Sequence, residues 1–215
     1  VGDAIFRIRA IFFKIKWNRV FDIIEYIINS NSLSNTFFRD QVLETIQIIL
    51  EREKSAYRII VVRVMEITDD KEIEVIDAAL KSSSDEAKIH LSNSIRILSQ
   101  RENNDYKGST RESIHAVEAT CRSITGNPKA TLPDCLRVFK KQKAFHPAFE
   151  QALDKLYGYT SDEGGIRHSL TEVSNPLFYS DAKFMLVVCS AFINYIKIMA
   201  SELNITLKNE PKKES

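Results

Sequence analysis

Apolar residues recur every three to four positions over most of this chain, and short polar breaks separate the runs. That period marks amphipathic helix. Helices are predicted over 4–15 and 17–29, the second with Val20, Ile23, Ile24, Ile27 and Ile28 at helical spacing. After the polar break "NSNSLSN", another helix over about 36–53 carries Phe37, Val42, Ile46, Ile49 and Leu50. "YRIIVVRVMEI" (57–67) departs from the pattern. β-branched residues dominate it without a helical stripe, which predicts one or two short strands. A hairpin here would lack the usual Gly or Asn at its turn. "TDDKEIEVIDAAL" reads as helix again, with Thr68 as cap and acids in the first turn. Ser84 is the expected N-cap of the next helix, which holds Ile89, Ile95 and Leu98. The polar connector "SQRENNDYKGST" is a soft boundary, and further helices are predicted over about 109–125, 131–142, 147–157, 163–172 and 181–203. "TGNPKAT" and "VSNPLFYS" are proline-bearing breaks, and "LKNEPKKES" reads as a solvated tail. The fold class expected is mainly α, with a small β element near 57–67.

Composition supports a folded core: 44% of the 215 residues are hydrophobic and 27% charged. With 30 basic and 29 acidic residues the net charge is +1, which argues against a general DNA coat or a polybasic membrane binder and leaves room for a local basic patch. Cys121, Cys135 and Cys189 stand far apart without a CxxC, so no zinc pattern is read and no metal or cofactor is expected. They are expected as buried, reduced thiols of a cytoplasmic protein. Cys189 in "VVCSAF" reads as core packing. "IFRIRAIFFKIKW" has four basic residues within its apolar run, which excludes a clean signal peptide or membrane span. The run "FMLVVCSAFINYIKIMA" is 17 residues long and includes Asn194 and Lys197, so it reads as a buried core helix. The chain opens on Val1, which suggests a fragment or processed product.

Two stretches could carry chemistry. In "RESIHAVEATCR", Arg111, His115, Glu118 and Arg122 step by four, three and four, so on a helix they share one face beside the apolar stripe of Ile114, Val117, Cys121 and Ile124. Such a stripe can line a groove; a solvated face with charge pairs is the plainer reading. In "SDEGGIRHSL", Ser161 or Asp162 can cap a helix, and two glycines lead into Arg167 and His168. Arginine offers a permanent fork for phosphate and histidine a proton acceptor near neutral pH, the two roles that RNA cleavage needs. His90 and His146 stand alone in sequence, and His146-Pro147 reads as a helix start. Tyr157 and Tyr159 could stack on bases, although packing is the commoner role. No phosphate-binding loop, GxGxxG, GxSxG or HExxH occurs.

"ESIHAVEATCRSITGNPKATL", "HPAFEQALDKLYGYTSDEGGIRHSL" and "DAKFMLVVCSAFINYI" together resemble the carboxy-terminal region of bacterial AbiJ-type abortive-infection proteins. "IRAIFFKIKWNRVFDIIEYI" and "YRIIVVRVMEITDDKEIEVIDAAL" resemble the end of one class of their amino-terminal domain. The resemblance implies a partial amino-terminal region over 1–81 and a HEPN-like helical bundle over 82–215. It further implies a homodimeric, metal-independent endoribonuclease acting on RNA in phage defence, away from membranes. Carried over by position, Arg167 matches the motif arginine, His168 the polar residue after it, and Glu118 an earlier acid. His115 is a second candidate base, and Arg111 and Arg122 would contact RNA. The family's motif places another histidine four to six residues beyond the arginine, and none follows His168 here. Two readings therefore stay open: His168 or His115 substitutes for it, or the domain is degenerate and serves dimerisation, signalling or RNA or nucleotide binding without chemistry.

Overall fold

A computed structural model describes residues 2–30, 36–66, 69–143, 145–161, 177–205 and 207. Among these, nine helices and one two-stranded antiparallel sheet form, the mainly α class with a small β element near 57–67 that was expected. Two compact units, Val1–Thr68 and Asp69–Ser215, divide the chain.

The first unit holds α1 (Gly2–Phe12), α2 (Trp17–Asn29), α3 (Thr36–Arg52), β1 (Arg58–Ile60) and β2 (Arg63–Met65). The strands form a hairpin with Arg58 opposite Met65, Ile59 opposite Val64 and Ile60 opposite Arg63. Its two-residue turn is Val61-Val62, both left-handed at φ 49° and 57°. Glycine or asparagine usually fills such a turn, because a β-branched side chain crowds the backbone there. In this register the N–H groups of Ile59 and Val64 point away from the partner strand. Flanking helices answer both: Gln47 Oε1 on α3 accepts from Ile59 N at 3.1 Å, and Glu25 Oε1 on α2 accepts from Val64 N at 2.8 Å. The other oxygen of Glu25 takes the Arg63 guanidinium at 2.9 Å. Trp17, Phe21 and Tyr57 form an aromatic cluster, with the Phe21 and Tyr57 ring centres 4.5 Å apart.

The Val-Val turn yields a prediction. Val61→Asn with Val62→Gly should stabilise this unit by about 1–2 kcal/mol, since each left-handed non-glycine residue costs roughly 1–3 kcal/mol. Trp17 is the chain's single tryptophan and sits in this unit, so its fluorescence during urea unfolding reads the change. An unchanged or lower midpoint would show that the valine side chains contribute more packing than the turn costs.

The second unit holds α4 (Asp70–Ser82), α5 (Asp85–Leu98), α6 (Tyr106–Thr125), α7 (Leu132–Lys140), α8 (Pro147–Ser161) and α9 (Tyr179–Glu202). Ser84 caps α5 as expected, accepting from Ala87 N. The cap of α4 is Asp69, which accepts from Lys71 N at 2.8 Å, rather than the expected Thr68, which lies outside the described residues. α6 begins earlier than expected because Asp105 caps it, and it ends at Gly126, whose φ of 69° lets its N–H reach Arg122 O at 2.8 Å. His146-Pro147 starts α8, the His146 Nδ1 accepting from Ala148 N. Ser161 is the last residue of α8, and the helix predicted over 163–172, with its Ser161 or Asp162 cap, lies outside the described residues.

α6 and α9 form the centre of this unit. α9 is apolar and long enough to cross a membrane, yet Leu186, Ile193 and Ile196 are fully buried against the bundle it shares with α4, α5 and α6. Asn194 donates to Val75 O on α4 at 2.9 Å, which explains a polar residue in so apolar a helix. α5 and α6 run antiparallel and approach closely through serines: Ser94 Oγ lies 3.0 Å from Ser109 Oγ and 2.7 Å from Ser113 Oγ. Cys121, Cys135 and Cys189 are free and buried, as expected. Burial pushes the Cys189 thiol up to about 12, which suits packing and not nucleophilic attack.

Candidate functional site

α6 carries the sequence stripe, and its neighbours determine what each member does. Arg111 is exposed. His115 is half-buried, its ring edge-on to His90 of α5 with centres 5.2 Å apart at 74°. Glu118 is only 7% exposed, and its Oε1 accepts from the Tyr157 hydroxyl of α8 at 2.8 Å. Arg122 pairs with Glu86 of α5 at 2.8 Å. The stripe thus forms a seam on α6, with His115 and Arg122 meeting α5 and Glu118 meeting α8. It is not a uniformly solvated face, because Glu118 is enclosed. Arg167 and His168 lie outside the described residues, as does any meeting of these two with Glu118.

Beside the stripe stands a group that the linear sequence does not show. His90 Nδ1 lies 2.9 Å from Glu112 Oε2, and Asn93 Nδ2 donates to the same oxygen at 3.3 Å. His115 adds its imidazole, so that one ligand-type atom from each of His90, Glu112 and His115 lies within 4.8 Å of the others. His90 stands alone in the sequence but not in the fold. Partial burial would raise the Glu112 carboxyl. The hydrogen bonds from His90 and Asn93, with the positive potential of both imidazoles, outweigh that and hold it below its ordinary value. The carboxylate form is the one held here. The signal that could have found this group is the antiparallel α5–α6 hairpin. His90 lies eight residues before the end of α5 at Leu98, and His115 nine after the start of α6 at Tyr106.

The Tyr157 ring packs as its commoner role predicts, lining a small apolar cavity with Ile114, Val117, Leu153, Met185 and Phe192. At about 30 Å³ the cavity is far below the several hundred Å³ of a cofactor pocket. The tyrosine's hydroxyl has a second role, tying α8 to Glu118. On the seam, Arg111 is exposed and His115 and Arg122 are half-buried, so this face is more open to a large ligand than the cavity is.

Residues 2–82 match the family described as AbiJ N-terminal domain 4. Through this segment, 81 of the 215 residues, the chain is similar to AbiJ-type abortive-infection proteins. No curated protein and no solved structure matches the chain. The matched segment ends at Ser82 and so takes in α4, whereas the compact units divide after Thr68 because α4 packs on α9 and α5. α5 to α9 lie beyond the match, and their chemistry is read from their own residues.

Proposed function

We propose that this AbiJ-type protein is an abortive-infection endoribonuclease of the cytoplasm, whose helical second unit is HEPN-like and cuts RNA as a homodimer without a metal ion. The observation that carries the reading is the seam on α6. It sets an imidazole, His115, one turn from an enclosed carboxylate, Glu118, with Arg111 exposed on the same face and Arg122 further along. The imidazole would take the 2′-hydroxyl proton, Arg167 would meet the charge that develops on the phosphorane, and Glu118 would position its neighbours. His168 is the alternative base. Arg111 and Arg122 would hold the RNA backbone, Arg122 by exchanging its Glu86 partner for phosphate. The exposed Phe178, Phe184 and Ile198 around α9 supply apolar surface for the second protomer.

A second reading has its own support. The Arg122–Glu86 and Glu118–Tyr157 bonds tie α6 to both neighbouring helices, as structural polar contacts do, which suits a module that binds RNA or nucleotide without cutting it.

The deciding experiment incubates the purified full chain with labelled single-stranded RNA in EDTA. Cleavage is expected, and Arg167→Ala should abolish it while leaving the thermal midpoint nearly unchanged. Binding without cleavage would favour the second reading. Neither binding nor cleavage would end both.

A further inference from the structure

We infer that His90, Glu112 and His115 form a binding site for one divalent transition-metal ion of the zinc class, clamping α5 to α6. Two imidazoles and one carboxylate are a complete three-ligand set for such an ion and leave a coordination position for water. Glu112 and His115 sit three apart on α6, which puts both on one helix face, and His90 comes from the facing helix. All three residues are partly exposed, so an ion has a way in.

The distances fit with little movement. Ligand atoms around a tetrahedral zinc lie about 3.4 Å apart, given bonds near 2.0–2.1 Å. His90 Nδ1 and Glu112 Oε2 are already 2.9 Å apart, and the third ligand atom lies within 4.8 Å. A side-chain rotation at half-buried His115 closes the remainder. The backbones beneath are held: the Ser94 hydroxyl, one turn from His90, bonds Ser113, the residue after Glu112. Asn93 donates to the ligating carboxylate and so supplies the outer hydrogen bond that orients metal ligands. The donor set selects the ion. Calcium and magnesium prefer oxygen alone, and a site without thiolate suits zinc, cobalt or nickel.

An ordinary histidine–carboxylate pair needs no third partner. What sets this group apart is the second imidazole converging on the same carboxylate, with an amide bracing it. The ion takes no part in the RNA reaction proposed above. It shares His115 with that reaction, so EDTA leaves His115 uncoordinated, and metal binding is measured without RNA.

The test uses the full chain without a histidine tag, stripped in EDTA, dialysed and titrated calorimetrically with zinc chloride. Cobalt chloride serves as an optical probe. Expected are one ion per chain, a Kd on the order of micromolar or tighter, and the visible absorption of a low-coordinate cobalt(II) centre. His90→Gln and Glu112→Gln should each weaken binding by more than about 100-fold, and Asn93→Ala by about tenfold, the usual range for an outer partner. His146→Gln, away from the group, should leave binding unchanged. Glu112→Gln preserves side-chain shape, so a folded variant is at hand, checked by circular dichroism. Absence of saturable binding at millimolar zinc, or binding that survives both His90→Gln and Glu112→Gln, overturns the site.

Discussion

Replacing His115 with alanine is expected to lower RNA cleavage by about 100-fold or more, the contribution of a positioned proton acceptor. Stability should change little. The ring is half-buried, and its edge-on contact with His90 is worth about 1 kcal/mol. The informative companion is Glu118→Gln. Glu118 Oε1 accepts from the Tyr157 hydroxyl, and the glutamine oxygen can accept the same bond, so the α6–α8 tie survives. The negative charge is removed. A positioning carboxylate therefore predicts a folded Glu118→Gln protein with slowed single-turnover cleavage in EDTA. A purely structural carboxylate predicts full activity. If His115→Ala cleaves at the original rate, the base role passes to His168, and His168→Ala should then show the loss.

Glu25→Ala is expected to destabilise the first unit by about 2–4 kcal/mol, the range for stranding a buried donor and one member of an ion pair. Glu25 is 8% exposed, and its two oxygens serve different groups, the Val64 N–H and the Arg63 guanidinium. Val64 is itself buried, so its amide has no ready replacement from water. Arg63 is about one-third exposed and can turn outward, which places the ion-pair share at the lower end. Glu25→Gln separates the two contributions, since an amide oxygen still accepts from Val64 N. It should lose less than half as much. Trp17 fluorescence against urea reads both variants in this unit. Equal, small losses would show that the hairpin edge finds another acceptor.

The two predictions rest on features of unequal legibility. The seam on α6 is partly written in the sequence: a step of four, three and four puts Arg111, His115, Glu118 and Arg122 on one face, because helix geometry alone places side chains by index. Which of them is enclosed depends on the helices at either side. Glu118 lies under Tyr157, which is 39 residues away. Nothing local distinguishes it from a solvated glutamate. Glu25 is the same case, since its partners are 38 and 39 residues further on.

Caps follow the same division. Ser84 was legible because it acts within one turn, on Ala87 N. Asp69 displaced Thr68 as the cap of α4 although both residues can do the chemistry, and the choice rested on where the chain enters the helix. The hairpin was harder still. Its strands were legible in "YRIIVVRVMEI", but its turn breaks the residue preference that would have announced it. Glu25 and Gln47 hold the outer edges and the aromatic cluster holds the base, so tertiary contacts offset the cost of Val61 and Val62 in left-handed backbone.

By itself, the sequence determined what depends on neighbours within a few residues: the helical period, the strand-like interruption, the polar stripe and the apolar character of α9. Only the tertiary structure decided that α4 belongs with α9, that Asn194 meets Val75, and that His90 meets Glu112 and His115. The reason is physical. Periodicity records which face of a helix is buried, but the residue it meets is chosen by helix register and by the turn of the connector. Those are decided only when small side chains such as Ser94, Ser109 and Ser113 let two helices close on each other.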